Sequence, residues 1–345
     1  YVSSWYFSDV TIPLHCKGKN LHLSASMVRF LLTVGIILGL GVAHAAPLKI
    51  GVSETILSLP LFVAQEEGYF QKRGVNVEFV SCVGGNRCVK NMLAGETELA
   101  TATELPVVFN SFTRTDFAIL TSFVSVSNDL KMVARSERNI TEPARLKGKT
   151  LGYVKGGASQ YVLDLVLVYN GIDSGMVTLK EITPESALSA LANREVDALC
   201  IWEPFASRIQ QELGNDVQLV PIPKLYTETF NLIAMNRVVK ARPKDMEKIV
   251  LALKDSTQYI QSNPDKAKAL AAKRLGVSMV LINKIFDDYR YRLSLNRSLR
   301  RTMEGQARWA SREGHVDPSL AQPNFTGFVN PQFLKAVDPS AVTLN

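Results

Sequence analysis

The feature that most constrains the fold is a strand–helix–strand pattern that the chain repeats, once over residues 48–102 and again over 151–201. In the first copy, apolar alternation at 48–52 predicts a strand, and the run 59–67 predicts a helix. Residues 75–80 then alternate as a second strand. A strand, a helix and a strand within about 30 residues imply parallel pairing through a right-handed crossover.

The two copies correspond in order and spacing, so we predict an α/β fold with two lobes, each a mainly parallel sheet flanked by helices. The chain is expected to cross between lobes near 128–135 and near 230–236, and residues 243–309 are expected to be mainly helical. We predict that lobe 1 contains residues 46–130 and 231–345, with the helical C-terminal part, and that lobe 2 contains residues 131–230. Further strands are predicted at 98–102, 117–126, 129–134, 151–154, 177–182 and 196–201, and further helices at 89–94, from 105, at 160–169 and at 185–192.

Residues 27–46 have the three parts of a secretory signal peptide. Arg29 follows a methionine, an apolar stretch covers 30–42, and Ala43-His44-Ala45 fits the small-x-small pattern of a cleavage site. This apolar stretch is shorter than the ~20 residues of a membrane-spanning helix. We predict a signal peptide at 27–45 and a soluble protein secreted through the inner membrane into the periplasm. A buried internal helix is the alternative, which three glycines disfavour.

Residues 1–26 show no sustained periodicity and begin with tyrosine rather than methionine. They are therefore predicted to be a non-native extension. The residue after the expected cleavage site is Ala46 and not cysteine, so the sequence offers no lipid-attachment site there.

Removal of the leader would leave His315 as the remaining histidine, in a polar stretch near a proline. A histidine-based triad needs an oriented base, and a histidine-rich metal site needs several ligands. We therefore expect no enzyme activity, no metal and no cofactor, with His315 on the surface. Cys82 and Cys88 bracket a glycine-containing loop and predict a disulfide in an oxidising compartment, two reduced thiols being the alternative. Cys200 is expected to be buried in a strand without a partner.

Removal of the leader would lower the net charge from +7 to +5, because Lys17, Lys19 and Arg29 leave with a single acid, Asp9. This modest excess, without a run of lysine and arginine, argues against a nucleic-acid partner. Several segments resemble the periplasmic solute-binding proteins that serve nitrate, sulfonate and taurine importers, a group that includes binders of thiamine-pyrimidine precursors. The segments that carry this resemblance are 48–52, 60–78, 93–102, 146–152 and 196–205. The resemblance covers residues 48 to about 273.

This resemblance implies a type II-like, two-lobe periplasmic binding protein fold. It also implies that the chain captures a small nitrogen- or sulfur-containing organic solute between its lobes and delivers it to the membrane permease of an ABC importer. The sulfonate, taurine, nitrate and aminopyrimidine classes all stay open, and a monomer is expected. A ligand-binding sensory module and an exported α/β enzyme are the alternatives. The same superfamily contains cytosolic pyrimidine synthases with a cysteine-rich motif, which this chain lacks.

Ligands of parallel α/β lobes bind beyond the carboxyl ends of the strands. The candidate ligand-binding residues that follow predicted strands are Ser53, Glu54, Thr55, Gly85, Asn86, Arg87, Thr103 and Glu104 in lobe 1, and Lys155, Gly157, Ser159, Gln160, Trp202 and Glu203 in lobe 2.

Each candidate has a structural alternative. The glycines could form tight turns, Ser159 could be a helix N-cap, Trp202 could belong to the core, and Glu203 could only hold its own turn. The mixed charges of the set favour a solute with hydrogen-bond donors or a cationic amine, with or without a neighbouring anionic group. Closure of two lobes around that solute is the expected mechanism.

Overall fold

The computed structural model describes residues 46–344. The predicted signal peptide at 27–45 and the predicted extension at 1–26 lie outside the described residues. Within 46–344, no helix is both long enough and apolar enough to cross a membrane.

Two sheets carry the strands of the described residues. In chain order these strands are β1 (Leu48–Ser53), β2 (Val77–Cys82), β3 (Leu99–Ala102), β4 (Phe117–Val126), β5 (Leu130–Arg135), β6 (Thr150–Tyr153), β7 (Thr178–Glu181), β8 (Ala198–Trp202), β9 (Val217–Val220), β10 (Glu228–Met235), β11 (Arg290–Asn296) and β12 (Val342–Thr343). One sheet has seven strands in the order β12-β11-β4-β10-β3-β1-β2, and the other has five in the order β7-β6-β8-β5-β9.

Helices cover the sheets. They are α1 (Leu59–Glu66), α2 (Tyr69–Lys72), α3 (Gly85–Ala94), α4 (Glu104–Ser111), α5 (Ala158–Tyr169), α6 (Ala187–Ala192), α7 (Phe205–Leu213), α8 (Asn236–Ala241), α9 (Pro243–Ser262), α10 (Pro264–Leu275), α11 (Met279–Ile285), α12 (Arg297–Arg312) and α13 (Gln332–Val337). Pro264 opens α10 because its missing N–H is not needed in the first turn, and Gly276 ends that helix with a φ of 61°.

The pairing of the strands corrects the prediction of mainly parallel sheets. β1 pairs in parallel with β2 and β3, and β6 pairs in parallel with β7 and β8, as the helical crossovers predict. In contrast, β10 is antiparallel to β3 and β4, and β5 is antiparallel to β8 and β9. Both sheets are therefore mixed. β5 and β10 each enter from the other sheet through a short crossing instead of through a helical crossover, so they need not run parallel to their neighbours.

The prediction that 243–309 is mainly helical misses one strand. In β11, exposed and buried residues alternate, with Tyr291, Leu293 and Leu295 facing the core, and the strand pairs with β4. This alternation with a period of two is typical of a half-buried strand.

The chain passes between the sheets at 127–129 and returns at 221–227. The first crossing overlaps the expected region, but the second prediction, 230–236, is wrong because these residues are mostly buried strand β10. Each sheet has its own cluster of buried apolar side chains. The division into separate lobes, 46–130 with 231–345 and 131–230, stays a prediction, since the chain from Pro47 onward groups as one compact unit.

The cysteines lie as predicted. Cys82, at the end of β2, and Cys88, in α3, form a disulfide with their Cα atoms 5.5 Å apart. Cys200 is a buried free thiol in β8. The helix that contains Cys88 begins at Gly85 rather than at the predicted residue 89, so the disulfide ties the first turn of α3 to the end of β2.

Candidate functional site

A small cavity, here called the inner cavity, lies where strands of both sheets end. Its volume is about 30 Å³, enough for about two water molecules. Seven of the candidate residues line it, together with residues that the sequence did not single out. The lining residues are Ser53, Thr55, Leu57, Gly84, Gly85, Asn86, Thr103, Pro106, Asp129, Leu130, Gly157, Ala158, Trp202, Glu228 and Phe230.

Polar atoms without partners converge on the inner cavity. Five of the seven buried side-chain atoms of the described residues that lack a partner among unprotonated groups belong to its lining: Ser53 Oγ, Thr55 Oγ1, Asp129 Oδ2, Trp202 Nε1 and Glu228 Oε1. Asp129 and Glu228 hydrogen-bond each other when one of them is protonated. An unsatisfied buried polar atom costs about 1–3 kcal/mol, so natural proteins contain few of them. Their concentration at one place makes the inner cavity the candidate binding site.

Asp129 and Glu228 form an acidic pair at the two crossings between the sheets. Tyr289 donates its hydroxyl hydrogen to Asp129 Oδ1, which leaves Oδ2 toward the cavity. Burial, together with the neighbouring Glu203, raises the pKa of Asp129 to about 7, against the favourable hydrogen bond from Tyr289. Burial and the charges of Asp129 and Glu104 raise the pKa of Glu228 well above its ordinary value. The pair therefore holds at least one proton near neutral pH until a positive charge or hydrogen-bond donors approach it.

Glu104 does not line the inner cavity and anchors the return crossing instead. Its carboxylate accepts hydrogen bonds from the Tyr226 hydroxyl at 2.5 Å and from the Thr229 backbone N–H at 2.7 Å. The Thr229 hydroxyl donates a further hydrogen bond at 2.5 Å. Burial raises the pKa of Glu104 despite these bonds. The candidate role of Glu104 in solute contact is therefore not supported by its position.

Glu203 and Ser159 are likewise engaged in local structure. A Glu203 carboxylate oxygen accepts a hydrogen bond from the Ser207 backbone N–H at 3.1 Å, at the start of α7, and burial raises its pKa. The Ser159 hydroxyl accepts from the Val154 backbone N–H at 2.8 Å. Ser159 lies inside α5, whose N-cap is Gly157, so it is neither the expected N-cap nor a wall of the cavity.

The first turn of α3 contacts the side of the five-stranded sheet. The Asn86 side-chain amide donates to the Lys155 carbonyl oxygen at 3.0 Å, and Arg87 forms an ion pair with Glu185 at 2.7 Å. Arg87 lies outside the cavity lining, as does Glu54. These contacts join α3 to the elements that follow β6 and β7, beside the inner cavity.

Gly85 and Trp202 both line the inner cavity, but they have different structural roles there. A Cβ atom on Gly85 would lie 2.7 Å from the Ala102 Cα, so only glycine allows α3 to pack this closely on β3. The Trp202 ring packs edge-on against Phe205, with ring centroids 5.9 Å apart, while its N–H has no partner. Trp202 is thus both part of the core and a wall of the cavity.

A second, larger cavity of about 390 Å³, here called the outer cavity, adjoins the inner one. Asn86 and Pro106 line both. Its other lining residues are Phe109, Asn110, Tyr153, Lys155, Gly156, Gln160, Gly314 and His315. The predicted residues Lys155 and Gln160 lie in this outer cavity rather than in the inner one.

The most consequential residues that sequence reasoning missed are Asp129 and Glu228. Each is an acid directly before, or at the first position of, a buried apolar strand. An acid at the start of an apolar run is the sequence signal that could have identified both residues as members of the site. Together the cavities include nine of the fourteen candidate residues, since Asn86 lines both, and leave out Glu54, Arg87, Glu104, Ser159 and Glu203.

Comparison with known families identifies the family of this chain. A family model described as NMT1/THI5 like matches residues 56–267. The chain belongs to the NMT1/THI5-like family. This finding confirms the resemblance carried by residues 48–273.

Two relatives illustrate the range of names in this NMT1/THI5-like group. A protein of Brucella abortus (strain 2308), provisionally named a binding protein, is 24% identical over 222 residues, which are 62% of this chain and 67% of the relative. The 4-amino-5-hydroxymethyl-2-methylpyrimidine phosphate synthase of Aspergillus parasiticus is 25% identical over 291 residues, 77% of this chain and 82% of the relative. Binding proteins and an enzyme are thus both similar to this chain.

Solved structures confirm the fold of this NMT1/THI5-like chain. The alkanesulfonate-binding protein SsuA of Xanthomonas axonopodis pv. citri, solved with bound MOPS, aligns with a TM-score of 0.73 at 18% identity. The alignment covers 84% of this chain and 99% of that structure. The two sheets flanked by helices are therefore those of the periplasmic binding protein fold.

Proposed function

We propose that the chain is the extracytoplasmic solute-binding component of an ABC importer, a soluble periplasmic monomer that delivers its solute to a membrane permease. The observation that carries this proposal is the inner cavity, where three buried polar atoms without partners, on Ser53, Thr55 and Trp202, lie with the acidic pair between two sheets. A relative named as a binding protein and the alkanesulfonate-binding structure with the same fold support this role.

The solute is a small molecule with an amino group or similar nitrogen donors. Asp129 Oδ2 and Glu228 Oε1 can only accept hydrogen bonds when ionised, and the lining of the inner cavity includes no lysine or arginine. A sulfonate or nitrate placed there would face the acidic pair, whose nearest basic group, Lys131, acts on Asp129 from outside the lining. An aminopyrimidine, or the amine of a taurine-like compound, would satisfy them.

Capture works by closure of the two sheets around the solute. The solute bonds to Ser53 and Thr55 from one sheet and to Trp202 from the other, so it stabilises the arrangement in which both are close. The Asn86–Lys155 and Arg87–Glu185 contacts form in the same arrangement. The crossings at 127–129 and 221–227 are the hinges.

Binding without catalysis is the second part of the proposal. Burial raises the pKa of the Cys200 thiol far above neutrality, which makes it a poor nucleophile. His315 lies at the outer cavity, against the Trp309 ring, whereas the acidic pair belongs to the inner cavity. This separation favours a binding protein over an enzyme that would pair a histidine with Asp129 or Glu228.

Isothermal titration with four compounds tests the solute class. Two of them carry an amino group, 4-amino-5-hydroxymethyl-2-methylpyrimidine and taurine, and two do not, ethanesulfonate and nitrate. We expect binding of at least one amino compound, lost in the Glu228→Gln variant, and no binding of ethanesulfonate or nitrate. Tight binding of either amine-free anion, or heat from none of the four, would overturn the proposed solute class.

A further inference from the structure

We propose that the outer cavity is a second subsite that takes an anionic extension of the same solute, so that the solute is dipolar, with its amine in the inner cavity. This inference rests on the proposed function and adds to it the chemistry of the other end of the solute. The first observation that supports it is the difference in volume between the two cavities. The inner cavity has about 30 Å³ and the adjoining outer cavity about 390 Å³, so an amino group fits the first while the bulk of an organic solute requires the second.

The two cavities carry opposite charges. Asp129 and Glu228 line the inner cavity, where no basic side chain joins them. Lys155 lines the outer cavity, whose lining includes no acid. Lys155 does pair with Glu181 at 3.5 Å, but both side chains are more than half exposed, so this ion pair is weak and an anion can replace it. A dipolar solute matches this distribution of charge.

Flat side chains form the walls of the outer cavity. Phe109, Tyr153 and His315 all line it. The His315 ring packs on the Trp309 ring with centroids 4.6 Å apart, and the Trp309 N–H donates to Asp164 of α5 at 2.6 Å. These contacts join α12 to α5, on the side of the five-stranded sheet. They also position the His315 imidazole at the outer cavity.

Asn86 and Pro106 lie between the two cavities, since both residues line each of them. The Asn86 amide, which lines both cavities, donates to the Lys155 carbonyl oxygen. Gln160 supports the same loop, because its side-chain oxygen accepts from the Gly156 backbone N–H at 2.8 Å. A solute that extends past Asn86 would reach the Lys155 ammonium group.

Titration with two matched pairs of probes tests the outer subsite. The first pair is 4-amino-5-hydroxymethyl-2-methylpyrimidine and its phosphate ester, and the second is ethylamine and taurine. In each pair only the second compound has the anionic extension. We expect at least one extended compound to bind about tenfold more tightly than its partner, as one charge-assisted contact would provide.

Two variants decide whether the outer cavity supplies that gain. Lys155→Ala should remove most of the gain in affinity that the anionic extension provides, and it should leave the affinity for the shorter compound unchanged. His315→Ala should remove part of this gain in affinity. Lys180→Ala is the matched control, because Lys180 also forms an exposed ion pair, with Glu195 at 2.8 Å, but does not line the cavity. It should bind both compounds as the parent does.

The outcomes separate the two proposals. Equal affinities within each pair, with no selective effect of Lys155→Ala, would overturn the outer subsite and leave the proposed function standing. Failure of all four probes to bind would overturn the amine-binding proposal and the outer subsite with it.

Discussion

Replacement of Asp129 by asparagine should make the solute-free protein more stable at alkaline pH. In the folded chain the pKa of Asp129 is raised from 3.8 to about 7 by burial. The folded state therefore binds this proton more tightly than the unfolded state does. Stability from this group is fully present below pH 3.8 and is lost as the pH rises toward about 7.

The size of the effect follows from the same pKa. A rise from 3.8 to about 7 corresponds to about 4 kcal/mol of unfolding free energy lost by pH 8, at about 1.4 kcal/mol for each pH unit. Glu228 competes for the same proton, so the part that belongs to Asp129 alone is smaller. We expect Asp129→Asn to gain about 1–3 kcal/mol at pH 8 and little at pH 4. Its amide oxygen can still accept from Tyr289.

Urea unfolding of parent and variant at pH 4 and pH 8 measures this difference. Asp116→Asn is the matched control, because Arg114 lowers the pKa of the exposed Asp116 and the variant should lose a little stability at pH 8 instead. An equal stability difference between Asp129→Asn and the parent at both pH values would refute the raised pKa of Asp129. The stabilised variant should also lose affinity for amino compounds, since the amide removes an ionised acceptor.

Three further substitutions test the inner cavity and the packing of α3 beside it. Gly85→Ala should destabilise by about 1–3 kcal/mol because its Cβ would overlap Ala102, whereas the control Gly305→Ala, in an open position of α12, should stabilise by about 0.5–1 kcal/mol; equal effects in chemical denaturation would contradict this. Trp202→Phe should weaken binding of the aminopyrimidine about tenfold in calorimetry, because it removes the donor to a ring nitrogen. A large loss of stability with unchanged affinity would instead make Trp202 a core residue only. Replacing the disulfide-bonded cysteines by alanine should cost about 2 kcal/mol for so short a loop and should weaken solute binding, since the disulfide holds the first turn of α3; unaltered denaturation midpoints and affinities would show that the disulfide is dispensable.

The fold could be predicted from the sequence wherever a helix joins successive parallel strands. The unit from β1 to β3 and that from β6 to β8 follow directly from apolar periodicity and glycine or proline boundaries. The antiparallel strands β5 and β10 could not be oriented in this way. Their direction depends on how the chain crosses between the sheets, which is a tertiary property.

The same limit explains which site residues were missed. Sequence reasoning placed ligands after the carboxyl ends of parallel strands. An antiparallel strand brings its first residues to that edge, as Leu130 does beside Trp202 and as β10 does when Asn231 pairs with Ala102. Asp129 and Glu228 arrive there from the opposite direction along the chain.

Burial rather than sequence position decides the role of the other acids. Glu104 follows a parallel strand, as a ligand residue should, but its carboxylate turns toward Tyr226 and Thr229. Three hydrogen bonds satisfy it, one from Tyr226 in the return crossing and two from Thr229 in β10. The spacing of residues along the chain carries no information about that choice.

In the proposed complex, the acidic pair of the inner cavity binds the amino group of the solute. A crystal structure with the tightest-binding amino compound of the titration panel tests it most directly. We expect a solute nitrogen about 2.7–3.2 Å from Asp129 Oδ2 and Glu228 Oε1. A sulfonate or phosphate oxygen of the solute at that position, with the nitrogen elsewhere, would contradict it.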